Sequence, residues 1–153
     1  MVTVRSATLA GFAQHRCSAI LRTDDPAAVR PALQAAAQGG FRILEVTLTT
    51  PDALAHIAAL AKDPNLLVGA GTVLTIDDAK QAMAAGARFL VSPVTDPQII
   101  TFCRQHDLVS VPGTFTPSEM MQAHRAGADL IKLFPGPANG PEFVRAVRGP
   151  LPF

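Results

Sequence analysis

Tryptophan and tyrosine are absent from the 153 residues, and phenylalanine is the only aromatic. Abundant alanine and glycine suit a tightly packed α/β protein better than an aromatic-rich nucleic-acid surface. An excess of either charge is lacking too. Thirteen basic and twelve acidic residues leave a net charge of +1, so no strong field favours DNA, RNA or an anionic membrane. Cysteine is scarce: Cys17 and Cys103 lie far apart and form no CxxC pair. That fits two small core residues in a reducing compartment, with a single disulfide left open. No apolar run approaches a membrane span, and Met1 to Gln14 lacks the apolar core of a secretory signal, so a cytoplasmic protein is expected. The histidines His15, His56, His106 and His124 are scattered with no HxH or HExxH spacing, so no metal site is expected. GxGxxG, P-loop, GxSxG and Cys–His signatures are missing as well, and no cofactor is implied.

What the sequence does hold is a rhythm. Strand-like runs at 17–21, 41–48, 66–71, 88–92, 108–111 and 130–135 alternate with helical stretches. Helix starts are signalled by Asp25-Pro26, Thr50-Pro51, Thr75 with Asp78, Asp96-Pro97, and Thr116-Pro117-Ser118-Glu119. Gly86 and Gly127 mark helix ends, while Pro31 is expected to kink or delay the second helix. Segment 6–15 reads as a short helix across one end of the fold. A weak repeat relates Ala85-Gly86-Ala87-Arg88-Phe89-Leu90 to Ala126-Gly127-Ala128-Asp129-Leu130-Ile131. Such alternation builds right-handed βαβ units and a parallel sheet, either an open doubly wound sheet or a (β/α)8 barrel. A single domain over 1–153 is expected.

Against this apolar pattern a few polar residues stand out. Only one of the three lysines, Lys132, lies inside an apolar run, Leu130-Ile131-Lys132-Leu133-Phe134-Pro135. Read as a strand buried on both faces, that run would desolvate the ammonium and favour an amine nucleophile toward carbonyls. A snorkelling or ion-paired structural lysine is the alternative. Glu45 is the only acid embedded in an apolar strand, which suits it to proton transfer or to partnering a buried base. Arg22 and Thr72 end the first and third strands. Arginine's planar fork matches carboxylates and phosphates, and Thr72 follows Gly71 closely enough to approach a ligand. Thr47, Thr49 and Thr114 also stand at strand exits, where threonine is common in any case.

Several stretches together resemble the bacterial aldolases acting on 2-keto-3-deoxy-6-phosphogluconate (KDPG) and 4-hydroxy-2-oxoglutarate (KHG). They are residues 40–51, 68–74 and 89–93, Pro112-Gly113-Thr114, Lys132-Leu133-Phe134-Pro135, and Gly149-Pro150-Leu151-Pro152. The resemblance runs from Ala19 to the end, in that family's order and spacing. It implies a (β/α)8 barrel, a homotrimer, and metal-free class I aldolase chemistry on a 2-oxo acid or phosphosugar acid. Lys132 matches the Schiff-base lysine and Glu45 the acid/base. Thr72 matches a residue contacting the pyruvyl carboxylate, and Pro93 and Phe134 match residues lining the pocket. Many members carry arginine where this chain has Thr49. Arg22 resembles the arginine that other branches, including the phosphogalactonate aldolases, place at the end of the first strand.

Only about six of the eight βα units of such a barrel fit before Phe153. The loops after the seventh and eighth strands, where barrels frequently bind phosphate, are then missing. The expectation is a truncated chain with weakened or absent activity on phosphorylated substrate. Two rivals are a non-catalytic remnant serving as an assembly module and a phosphate-handling epimerase or isomerase barrel.

Overall fold

A computed structural model describes residues 2–153. Helix α1 (Val4–His15) leads into β1 (Ser18–Leu21), α2 (Pro26–Gln38), β2 (Ile43–Thr47), α3 (Ala53–Leu60) and β3 (Leu67–Gly71). Then follow α4 (Ile76–Ala84), β4 (Phe89–Val91), α5 (Pro97–Gln105), β5 (Val109–Val111) and β6 (Gly113–Thr114). Helix α6 (Pro117–Ala126), β7 (Lys132–Leu133) and α7 (Gly140–Arg148) complete the order. All pairings are parallel. Strands β1 to β5 form one sheet in sequence order, and β6 pairs with β7.

Most helices start where local chemistry directs. Asp25 and Asp96 accept from the amides of Ala27 and Gln98, each with proline at the first helical position. Thr75 with Asp78 and Thr116 with Glu119 form full capping boxes, satisfying donors that a helix start leaves orphaned. Gly86 and Gly127 follow their helices with positive φ, as expected for helix ends.

Four expectations need correction. Thr50 does not cap α3: Asp52 is the N-cap residue, without a side-chain hydrogen bond. The Thr50 hydroxyl is instead buried, donating to the Leu21 carbonyl at 3.4 Å. Pro31 does not delay the start of α2, which runs from Pro26 to Gln38. The carbonyl its missing N–H would have engaged belongs to Ala27, which is exposed, so water can take the bond. Cys17 is exposed, and only Cys103 is a core residue. Finally, the Lys132 run is not buried on both faces. It contributes a two-residue strand, half-buried, with Phe134 37% exposed. The reason is its place as an edge strand: among the described residues β7 pairs on one side only.

The fifth strand also continues further than expected. Pro112 has no N–H to give and interrupts it, and β6 resumes at Gly113. Amides of Leu130, Lys132 and Phe134 donate to the carbonyls of Ser110, Pro112 and Thr114, so β7 runs beside both β5 and β6.

Alternation along the strands separates two faces. One is covered by α2 to α5 through Val29, Leu33, Ile57, Ala82, Ile99 and Phe102, packed on Leu44, Val46, Val68, Ala70 and Leu90. The opposite face carries Ile43, Phe89 and Val109 near the strand starts and Val91 at the end of β4, with Leu9 and Phe12 of α1 packed against this cluster. The Phe12 and Phe89 rings meet edge to face at 5.0 Å. Along β2 this face turns polar beyond Ile43, through Glu45 to Thr47.

Candidate active site

Glu45 occupies the middle of β2 on the α1-covered face, one step beyond Ile43 in the alternation. Its neighbours in register are Ile20 of β1 and Gly69 of β3. The residue is 5% exposed. Two glycines on β3 leave room for Glu45 and for Phe89. A Cβ at Gly69 would enter the Phe89 ring, and one at Gly71 would enter the Glu45 carboxylate. The bare backbone of β3 is therefore the floor on which both side chains lie.

Lys132 reaches this face from β7. It shares the parity of Leu130, which packs with Ile43 and Phe89 in the inner cluster. Its backbone is fixed opposite Gly113, and the Thr114 hydroxyl donates to its carbonyl at 3.1 Å. The ammonium lies 4.7 Å from the centroid of the Phe134 ring, in cation–π range. Among the described residues no ion pair within 4.0 Å joins Lys132 to Glu45. The two still sense each other. Burial pushes the Glu45 carboxyl above the ordinary carboxylate range, and the positive charges of Lys132 and Arg22 pull part of that rise back.

Arg22 leaves the end of β1 and crosses the exit of β2 to β3, where its Nη2 donates to Thr72 Oγ1 at 3.1 Å. Thr72 has φ 58, an outlying conformation for a β-branched residue. Pro93 follows β4, half-buried, with its carbonyl against the Gly113 backbone; the Thr95 hydroxyl donates to the Gly113 carbonyl at 2.9 Å. Thr49 is exposed and exchanges a 3.0 Å hydrogen bond with Thr47.

Thus the structure gathers Glu45, Lys132, Arg22 and Thr72 toward one face of the sheet, with Pro93 and Phe134 at the exits of neighbouring strands. Sequence reasoning missed the service Gly71 gives to Glu45. Its signal was the Gly69-Ala70-Gly71 run, legible as close packing but not as packing against a carboxylate. A cavity of about 460 Å³ lined by Leu48, Thr50, Asp52 and Asp78 lies elsewhere, between the starts of α3 and α4. Chemically, a strand-borne amine, a carboxyl with raised pKa and a guanidinium suffice for carbonyl capture with proton transfer on an anionic substrate.

Six strand–helix units in parallel order, with polar side chains at the strand exits, define a protein of the (β/α)8-barrel class. The sequence profile of the KDPG and KHG aldolases matches residues 11–152, and the chain belongs to that family. A probable 2-dehydro-3-deoxy-6-phosphogalactonate aldolase of Rhizobium meliloti is 36% identical over 136 residues, 88% of this chain and 64% of that protein. A 2-dehydro-3-deoxy-phosphogluconate aldolase of Treponema pallidum is 40% identical over 111 residues, 72% of this chain and 53% of the relative. The chain therefore spans little more than half to about two thirds of these relatives. Among solved structures, the KDPG aldolase of Legionella pneumophila with pyruvate captured as a covalent carbinolamine superposes with a TM-score of 0.83. It is 31% identical, and the match covers 95% of this chain and 71% of that one. An N-acetylmannosamine-6-phosphate 2-epimerase of Clostridium perfringens, 12% identical with a TM-score of 0.59, shares the fold alone.

Proposed function

We propose that this chain carries the reacting groups of a class I aldolase that cleaves 2-dehydro-3-deoxy-6-phosphogluconate to pyruvate and glyceraldehyde 3-phosphate, with Lys132 as nucleophile and Glu45 as proton carrier. The observation that carries the reading is that the buried Glu45 of β2 lies on the sheet face that Lys132 shares with Leu130, with Arg22 tied to Thr72 at the strand exits beside it. The amine of Lys132 adds to the ketone carbon, and loss of water leaves an iminium. Glu45 takes the proton of the hydroxyl on the fourth carbon. The bond between the third and fourth carbons breaks, its electron pair flows into the iminium, and the aldehyde departs. Glu45 returns the proton to the resulting enamine at the third carbon, and water hydrolyses the iminium to pyruvate and free Lys132. Arg22, held by Thr72, pairs with the anionic end of the substrate, while Pro93 and Phe134 bound the pocket. No metal or cofactor enters this scheme. A homotrimer in the cytoplasm, and action on 4-hydroxy-2-oxoglutarate, belong to the same reading.

A second reading, a preference for the phosphogalactonate, is favoured by one feature: the guanidinium comes from Arg22, and position 49 holds a threonine. Kinetics on the two sugar acids separates them.

Borohydride reduction in the presence of pyruvate, followed by peptide mass mapping, tests the chemistry. The expected result is a reduced pyruvyl adduct on Lys132 that is lost in Lys132→Ala. A folded chain left unmodified at Lys132 favours a non-catalytic assembly module or an isomerase and refutes the aldolase.

A further inference from the structure

Beneath the active face, Asp129 is the point where three elements are tied together. Its side chain is 1% exposed, and it forms an ion pair with Arg5 of α1. Arg5 Nε donates to Asp129 Oδ1 at 2.7 Å. The other oxygen, Oδ2, accepts from the Ser110 amide at 2.9 Å and its hydroxyl at 3.2 Å, within β5. The Asp129 amide donates back to Ser110 Oγ at 3.3 Å. Next door, Asp107 Oδ2 accepts from the Val4 amide at 2.7 Å and anchors the start of α1.

Asp129 immediately precedes the segment that carries Lys132. Besides this tie, the segment is held by a two-residue ladder, backbone bonds from Leu130, Lys132 and Phe134, and the Thr114 hydroxyl on the Lys132 carbonyl. A slip of one residue would turn Lys132 to the opposite face, and a slip of two would carry it about 7 Å along the strand. With the Asp129 side chain buried and that of Arg5 33% exposed, the pair contributes little net stability, because desolvation of the carboxylate offsets its attraction; fixing a register is the best-attested use of such a pair.

We propose that Arg5, Asp129 and Ser110 form a register pin that holds the Lys132 strand against β5 and so sets the position of the amine relative to Glu45. Arg5 and Asp129 are positioning residues here. The catalytic consequence rests on reading Lys132 as the nucleophile, whereas the pin itself does not.

The groups facing Glu45 are Lys132 from β7 and Arg22 after β1. Those around the pin are Arg5, the Cys103 thiol of α5 and the Asp107 carboxylate. If Lys132 drifts from Glu45, the carboxyl loses a charge that favours its ionised form. The acid limb of solvent-deuterium exchange into the pyruvate methyl group, a step that needs ionised Glu45, then moves to higher pH. General destabilisation would lower the amplitude without moving that limb.

The test uses Arg5→Ala and the double variant Arg5→Ala/Asp129→Asn, which removes both charges so that none is left buried and unpaired. Amide exchange at Leu130, Lys132 and Phe134 is expected to quicken about tenfold or more relative to Leu44 and Val68. Borohydride trapping of pyruvate on Lys132 should slow by a similar factor, and the acid limb of deuterium exchange into the pyruvate methyl group should shift upward. Exchange that rises no more at the amides of Leu130, Lys132 and Phe134 than at Leu44 and Val68 overturns the pin, even if the parent chain traps pyruvate. Localised exchange in a parent that traps no pyruvate leaves the pin standing and removes the aldolase instead. A parent that traps pyruvate, with localised exchange but an unmoved acid limb, removes the claim that the pin sets the amine against Glu45.

Discussion

Arg22 Nη2 donates to Thr72 Oγ1 at 3.1 Å, joining the ends of β1 and β3 across the exit of the strand that bears Glu45. The guanidinium is exposed, so the bond orients it more than it stabilises the fold. One Nη and the Nε fork remain to grip an oxyanion. Replacing Arg22 by alanine should raise KM for a phosphosugar acid about tenfold or more while altering kcat less, since the contact serves binding rather than bond cleavage. Arg22→Lys should recover only part of the loss, because an ammonium cannot hold Thr72 and a carboxylate in the same plane. Steady-state kinetics with unfolding curves for each variant decides the matter. An unchanged KM would remove Arg22 from the site.

Glu45 should leave a signature in stability. Burial raises its carboxyl pKa in the folded chain, and Lys132 and Arg22 offset only part of the rise. The folded state therefore holds this proton more tightly than the unfolded state does. On that account stability falls as pH climbs from the ordinary carboxylate value through the raised one, and the full loss persists above it. Glu45→Gln removes the effect. The variant should be more stable than the parent at neutral pH, the difference vanishing below the ordinary carboxylate range, while turnover drops steeply. Denaturant titrations at several pH values measure the first and single-turnover kinetics the second. A variant less stable than the parent at neutral pH would contradict the burial argument.

The two cysteines should separate cleanly by reagent. Burial, reinforced by the nearby Asp129 charge, pushes the Cys103 thiol up to about 12, whereas Cys17 is exposed. Thiolate is the reactive form, so alkylation near pH 8 should label Cys17 and spare Cys103 until the chain unfolds. Mass spectrometry of peptides counts the labels. Rapid labelling of Cys103 in folded protein would mean that α5 opens locally, loosening the surroundings of Asp129.

What could be read in advance follows the range of each interaction. Asp25, Thr75, Asp96 and Thr116 cap helices within three residues of themselves, and each was legible as a helix start. Thr50 offered the same local signal and went elsewhere, because a carbonyl 29 residues away competed for its hydroxyl. Lys132 and Glu45 stood out as charges in apolar runs, and the fold brings them to one face. That Lys132 lies on an edge strand depends on pairing partners, which a local pattern does not carry. The link of Arg5 to Asp129 spans 124 residues and has no motif.

Two glycines that look alike in sequence make opposite predictions. A methyl group at Gly71 would strike the carboxylate of Glu45, the far end of a flexible side chain. At Gly113 it would meet the carbonyl carbon of Pro93 at 2.5 Å and the carbonyl oxygen of Ser92 at 2.9 Å, both backbone. Gly71→Ala should therefore be absorbed by swinging the carboxylate aside, with a stability cost below about 1.5 kcal/mol. Turnover should nevertheless fall about a hundredfold, because displacing a proton carrier by an ångström is enough to lose alignment. Gly113→Ala has no such escape: it forces β4 and β6 apart and should cost about 1–3 kcal/mol, loosening the strand that pairs with Lys132. Unfolding curves and kcat for both variants check the pair. A Gly71→Ala variant with normal turnover would show that Glu45 need not lie where β3 leaves room for it.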